Sequence, residues 1–208
     1  LKRVLNLGAT PPANSFLKKS ELKKREPFFP LQLTFCNKCK LIQLGHIVSP
    51  ELLFKKYLYV SSTSPVFVKH FEDYASSIYK KFRLRKKSLV VDIGSNDGIL
   101  LKPFKKLGVK VLGVDPAEEI AKKATQEGLT TLPYFLNQKV ALEIVSIYKN
   151  ADVICANNVF AHVNDLDELT KAVKIILKPN GVFIIEAPYL IDFLEKNFFD
   201  LVYHEHLS

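Results

Sequence analysis

Four side chains able to hold protons or hydrogen bonds stand in a row near the carboxyl end: Tyr203, His204, Glu205 and His206. A His-x-His pair can bind a metal, but a metal normally takes at least three protein ligands, and no third is evident nearby. A histidine that titrates near pH 7 is more naturally a general base. A second group lies in VVDIGSNDGIL, where Asp92, Gly94 and Gly98 form a D-x-G-x-x-x-G pattern. This is neither the dinucleotide fingerprint G-x-G-x-x-G nor a P-loop, because Ser95, Asn96 and Asp97 separate the glycines and no Gly-Lys-Ser/Thr follows. A pyrophosphate would want bare N–H groups at a helix start, whereas this loop adds the carboxylate of Asp97. An acidic loop suits a cation. S-adenosylmethionine offers one, with a sulfonium and an amino group, while the glycines let the backbone pass close beneath it.

Asp115 follows Asp92 by 23 residues in VLGVDPAEEIA. That is where a ribose diol can be gripped by a carboxylate; alternatively Asp115 caps a helix beginning at Ala117, with Pro116 at its first position. In CANNVFAHVND, Asn157, Asn158 and His162 lie at a strand end, either as turn formers or as ligand-facing groups. Cys36 and Cys39 form a C-x-x-C flanked by short apolar runs, which reads as half a zinc knuckle or as two half-buried thiols. Cys155 sits in an apolar run and reads as inert packing, with no role. His46 and His70 read as ordinary surface residues.

The elements that must position these groups change character near residue 88. Before it the chain is rich in proline, with short strand-like runs at Leu31 to Phe35 and Leu41 to Leu44. Helical spacing then marks Glu51 to Tyr59 and Pro65 to Phe82. From Ser88 onward strands and helices alternate. The strands are expected at Leu89 to Ile93, Val111 to Val114, Thr130 to Tyr134, Val153 to Ala156 and Val182 to Glu186. The helices are expected at Ile99 to Leu107, Ala117 to Glu127, Gln138 to Lys149 and Leu166 to Leu177, with Pro179-Asn180-Gly181 as a stop before the last strand. Such alternation gives an α/β fold with a parallel sheet covered on both faces. Its ligands bind at the carboxyl ends of the strands, near the switch point.

The 208 residues, 48% hydrophobic and 25% charged, suffice for one main core and a smaller lobe. No run approaches the about 20 apolar residues of a membrane span, and no signal-peptide pattern opens the chain, so a cytoplasmic protein is expected. Three cysteines fit a reducing compartment. The net charge of +9 reads first as a Lys-rich solvated surface, and second as an attraction for anionic ligands, either nucleic acid or a phosphorylated small molecule. The presence of only four Arg in the whole chain argues against nucleic acid. The absence of Met, with Leu1 first, suggests a fragment.

Taken together, PPANSF, FCNKCKLIQL, YLYVSSTSP, VVDIGSNDGILL, ANNVFAHVND, GVFIIEAPYL and YHEHLS resemble the S-adenosylmethionine-dependent C-methyltransferases of nucleotide-linked deoxysugars, 3-C-methyltransferases among them. The resemblance runs from about Leu5 to Ser208. It implies an amino-terminal zinc-binding lobe, here residues 1–64, and a class I methyltransferase (Rossmann-like) doubly wound core, here residues 65–208. It also implies that the core is incomplete at its carboxy-terminal edge, a further domain holding the nucleotide-sugar being absent. Only one of the family's two cysteine pairs is present, so the zinc site is a half site. Tyr134 stands where the family commonly places an acidic residue for the adenine.

The resemblance implies that a base abstracts a proton next to a ketone and that the enolate takes the methyl group. His206 is the base, Glu205 orients it or shares the proton, and Tyr203, His162 and Tyr57 line the sugar site. Asp92, Gly94, Asn96, Asp97, Gly98, Asp115, Pro116, Asn157 and Asn158 are expected around the donor. The expected partner is a nucleotide-linked sugar, with no nucleic acid or membrane, in a monomer. Two rivals remain: a methyltransferase for another small molecule or RNA, and a non-catalytic S-adenosylmethionine-binding module. An NAD enzyme is disfavoured by Asp97.

Overall fold

In the computed structural model, which describes residues 1–55, 57, 59–196 and 201–207, the chain forms two compact units. One comprises Leu1–Leu58, Ala161–Asn164 and Ala187–Ser208; the other comprises Tyr59–Phe160 and Asp165–Glu186. The division interleaves, so His162 and the carboxyl-terminal residues group with the amino-terminal segment.

The amino-terminal unit begins with a three-stranded antiparallel sheet in the order β1 (Lys2–Thr10), β2 (Phe29–Phe35), β3 (Ile42–Leu44). The sequence had shown no β1: its side chains are almost all exposed, so KRVLNLGAT carries no inward-facing alternation. The CNKC segment is the turn joining β2 to β3. Cys36 N–H donates to Leu41 O (2.9 Å), Lys40 N–H donates to Cys36 O (2.8 Å), and Lys40 has φ of 66°. Leu31, Leu44 and Leu207 form this unit's buried cluster, with Leu33 and Val202 against it. Helix α1 (Pro50–Phe54) is shorter than its expected span of Glu51 to Tyr59.

The core unit opens with α2 (Pro65–Lys81), whose Ser64 cap accepts from Phe67 N–H. The apolar spacing of α2 has a direct outcome: Phe71, Ala75 and Ile78 are buried in one cluster with Val90, Phe104, Val153 and Cys155. The strands β4 (Leu89–Ile93), β5 (Lys110–Val114), β6 (Thr131–Leu132), β7 (Ala151–Asn157) and β8 (Leu177–Glu186) alternate with α3 (Leu101–Lys106), α4 (Glu118–Gln126), α5 (Gln138–Tyr148) and α6 (Leu166–Ile176). The sheet is parallel throughout, in the order β6-β5-β4-β7-β8. The Rossmann-like doubly wound expectation holds. The chain winds outward from β4 to β6 and returns to β7 on the other side, so the switch point lies at the carboxyl ends of β4 and β7.

The differences from expectation have local causes. Strand β6 stops at Leu132 because Pro133 has no N–H to continue the ladder. Helix α3 starts at Leu101 because Gly98, at φ 78°, holds the preceding residues in a turn. Pro179-Asn180-Gly181 ends no separate element. Leu177 already pairs with Ala151, the register shifts, and pairing resumes at Val182 opposite Val153, so residues 178–181 bulge within β8. The last described helix, α7 (Leu190–Lys196), belongs to the amino-terminal unit. Among the described residues no helix is long and apolar enough to cross a membrane.

Candidate active site

The loop after β4 is built around close backbone approach. Gly94 (φ 64°) and Gly98 (φ 78°) take left-handed conformations, and a methyl group at either would strike a side chain, Val159 at the first and Leu129 at the second. Gly94 N–H donates to Val114 O (2.7 Å), tying the loop to the end of β5. Asp92 is fully enclosed at the strand end; burial, and then the charge of Asp115, push its carboxyl well above the ordinary range. Asp115 is also buried and raised, with two backbone amides working the other way. Its Oδ1 accepts from Ala117 N–H and its Oδ2 from Asn96 N–H, both at 2.8 Å. Helix α4 begins at Glu118 with Ala117 as its cap. Asp115 is therefore not the helix cap and Pro116 not its first residue; the carboxylate instead clasps the two loops.

Asn96 (φ 49°) turns its side chain to the segment before α2: Oδ1 accepts from Ser61 N–H (3.0 Å) and Nδ2 donates to Tyr59 O (2.9 Å). Asp97 Oδ2 accepts from the Ser62 hydroxyl and has Lys102 Nζ at 3.7 Å, while Oδ1 is buried without a partner. Asp97 and Val60 border a cavity of about 440 Å³ whose far side is α4 residues such as Glu119 and Lys122.

At the end of β7 the two asparagines part company. Asn157 Oδ1 accepts from the Tyr74 hydroxyl (3.0 Å) and its Nδ2 is buried without a partner. Burial pushes Tyr74 up, so this phenol stays protonated. Asn158 is exposed at φ 54°, its N–H donating to Glu186 O (2.7 Å). Glu186 also pairs with His70 at 2.9 Å, so His70, expected as an ordinary surface residue, has a partner at the end of β8. Cys155 is buried, its thiol pushed up by burial, consistent with packing. Tyr134 is half exposed, its N–H donating to Leu132 O (2.9 Å).

The amino-terminal unit brings together Tyr57, His162, Tyr203, Glu205 and His206 and adds one residue the sequence did not flag, Asn14. The Leu201 carbonyl lies 2.7 Å from His206 Nδ1, so Nδ1 carries the proton and Nε2 accepts from the Tyr203 hydroxyl (2.9 Å). Burial lowers the pKa of His206, partly offset by that carbonyl. His162 stacks between Phe54 and His206, at centroid distances of 5.5 and 4.9 Å. Burial, with a smaller contribution from His206, pushes it down to about 3, and its Nε2 is buried without a partner.

Glu205 does not orient His206 through a hydrogen bond. Its Oε1 accepts from Asn14 Nδ2 (2.7 Å) and its Oε2 from the Tyr57 hydroxyl (3.1 Å). It is only 1% exposed, and burial raises its pKa against those two bonds. His204, equally buried, is 3.1 Å from Phe29 O through Nε2, which ties it into packing instead of a metal pair. His46 stacks on Phe29.

Cys36 and Cys39 are free, the second exposed. Hydrogen bonds from Cys39 hold the Cys36 thiol below its ordinary range. Among the described residues no three His, Cys, Asp or Glu side chains are grouped to hold a metal. Two thiolates leave a tetrahedral zinc half made, so the residues present do not fit the ion.

Residues 1–54 match a family described as "Putative zinc binding domain" and residues 67–207 one described as "Methyltransferase domain". C-methyltransferase NovU of Streptomyces niveus is 35% identical over 205 residues, 99% of this chain and 49% of that protein. The ubiquinone biosynthesis O-methyltransferase of Pelagibacter ubique is 29% identical over 140 residues, 62% of this chain and 55% of that protein. The chain thus spans about half the length of the curated relatives it matches. In fold it is similar to the plantazolicin methyltransferase BpumL, solved with a pentazolic desmethylPZN analog and SAH. That likeness has a TM-score of 0.51 and 18% identity, covering 65% of this chain and 52% of that one. With a family match over residues 67–207, the chain belongs to the methyltransferase domain family.

Proposed function

We propose that the protein is an S-adenosylmethionine-dependent C-methyltransferase whose acceptor is a nucleotide-linked keto-deoxysugar. The observation that carries this reading is the state of His206: neutral, half-buried, its tautomer set by Leu201 so that Nε2, which accepts from the Tyr203 hydroxyl, is the basic nitrogen. The resemblance to a C-methyltransferase along 99% of the chain supports carbon as the acceptor atom, and the SAH bound to BpumL supports the donor.

Bound at the loop after β4, S-adenosylmethionine supplies an electrophilic methyl group. The chain's own residues do the rest. The glycines admit the ligand close to the backbone, Asp97 and Asn157 offer it buried, unpartnered polar atoms, and Asp115 fixes the loop. As the Tyr203 hydroxyl turns from His206 Nε2 to the carbonyl oxygen, Nε2 takes the proton from the carbon beside the ketone and the electron pair moves to that oxygen. Tyr203 and the unpaired Nε2 of His162 stabilise that oxygen, as donors aimed where charge develops, and Tyr57, whose hydroxyl donates to Glu205, lines the sugar. Zinc takes no part in this reading. Three free thiols go with a cytoplasmic, reducing setting, and the scarcity of Arg goes with a small anionic ligand instead of nucleic acid.

Labelled S-adenosylmethionine with a panel of nucleotide-linked keto-deoxysugars tests the proposal. Label should pass to carbon in at least one sugar, forming a bond stable to mild acid and base. Transfer only to oxygen, or only to RNA or protein, would overturn it.

A further inference from the structure

The YVSST segment before α2 has no part in the donor site as read so far, yet it is tied to that loop by side chains. Ser61 N–H and Tyr59 O both engage the Asn96 amide, and the Ser62 hydroxyl donates to Asp97 Oδ2. The segment is itself ordered: residues Ser61–Thr63 form a 3-10 turn, the Thr63 hydroxyl closes on Val60 O (2.7 Å), and Ser64 caps α2. It is an anchored strap of the core unit.

The consequence falls on Asp97. This side chain is 8% exposed, and its Oδ2 already has the Ser62 hydroxyl, with Lys102 at 3.7 Å. Its Oδ1 is buried and has nothing. A desolvated carboxylate oxygen without a donor is unfavourable and is retained where a donor arrives with a ligand. Val60 of the same strap and Asp97 border one cavity, so there is space beside the carboxylate. An ammonium group, with three donors and a positive charge, satisfies such an oxygen.

Resting on the donor reading above, we propose that Ser62 is a positioning residue for the donor. Its hydroxyl holds Asp97 by one oxygen so that the other receives the ammonium of the donor's amino-acid moiety. The residues of the strap thereby belong to the donor site. What they govern is recognition of the amino-acid end, not of the nucleoside.

The test is calorimetry on the whole chain with two probes: S-adenosylhomocysteine, which carries the ammonium, and 5′-methylthioadenosine, which lacks it. Ser62→Ala should weaken S-adenosylhomocysteine roughly tenfold, the effect of losing about one hydrogen bond to a charged group. Methylthioadenosine affinity should stay within about twofold, and Ser62→Thr should restore most of the loss. Equal losses for both probes, or no loss for either, overturn the proposal. Should Ser62→Ala fail to fold, Asp97→Asn must show the same split between probes, and its absence overturns the proposal too. If the unmodified chain binds neither probe, the donor reading itself fails. Failure of the Ser62 inference alone leaves S-adenosylhomocysteine binding intact.

Discussion

The Tyr203 hydroxyl lies 2.9 Å from His206 Nε2 while the Leu201 carbonyl holds Nδ1 from the other side. The pair fixes both the tautomer and the plane of the imidazole, leaving proton uptake to one nitrogen. If that nitrogen is the base, His206→Ala should lower kcat by about 10²–10⁴-fold. Tyr203→Phe should lower it less and leave KM for the donor unchanged. Because burial lowers the pKa of His206 from its ordinary 6.5, the acid limb of kcat/KM should fall below pH 6.5. Steady-state rates with labelled donor from pH 5 to 9 check all three.

His162 should leave a mark on stability. It is neutral in the folded chain down to about pH 3, whereas in the unfolded chain it takes up a proton near 6.5. Its contribution is full above pH 6.5 and is lost as pH falls through 6.5 toward 3, with a slope of at most about 1.4 kcal/mol per pH unit. Glu205, raised by burial, has the opposite sign: its contribution weakens as pH climbs above the ordinary carboxyl value. Denaturant unfolding of His162→Gln beside the unmodified chain, from pH 7 to 4, isolates the first effect. The substituted chain should lose stability less steeply on acidification; parallel curves would contradict the assignment.

Gly94→Ala should cost both stability and donor binding. The left-handed φ is strained for alanine, and the added methyl meets the branched Val159 side chain. Together these should cost roughly 2–4 kcal/mol. Gly94→Ala/Val159→Ala should recover the steric part alone, which urea unfolding measures. A substitution that leaves the midpoint unmoved would mean that the loop is not held where the structure puts it.

The cysteine pair should bind zinc only weakly. Two thiolates, with no further ligand grouped beside them among the described residues, leave the ion half coordinated. Chelation should therefore leave the melting temperature of this chain unchanged, and Cys36→Ser likewise. A drop of several degrees on adding a chelator would show that a complete site exists.

Much of the core was legible because its elements announce themselves locally. The VVDI run is buried at every position of β4, and the 71, 75, 78 spacing of α2 is the face it buries. What the sequence could not show is which distant side chains meet. Asn14 and Glu205 are 191 residues apart, and nothing in PPANSF or YHEHLS marks them as partners. For the same reason Glu205 was expected on His206, its neighbour in sequence, when the bond that orients the ring comes from a backbone carbonyl. Strand β1 escaped notice because an exposed edge strand needs no apolar alternation. The Ser62 contact was hidden because serines before a helix read first as caps, a role that belongs to Ser64.

The central claim, that His206 removes a proton from carbon before methyl transfer, is tested most directly by exchange in D₂O. With S-adenosylhomocysteine present to hold the donor site and no methyl group to transfer, the unmodified protein should wash one deuterium into the carbon beside the ketone of its sugar. His206→Ala should not. Exchange that persists undiminished in His206→Ala, or methylation by the unmodified protein of a sugar that shows no exchange, would contradict the account.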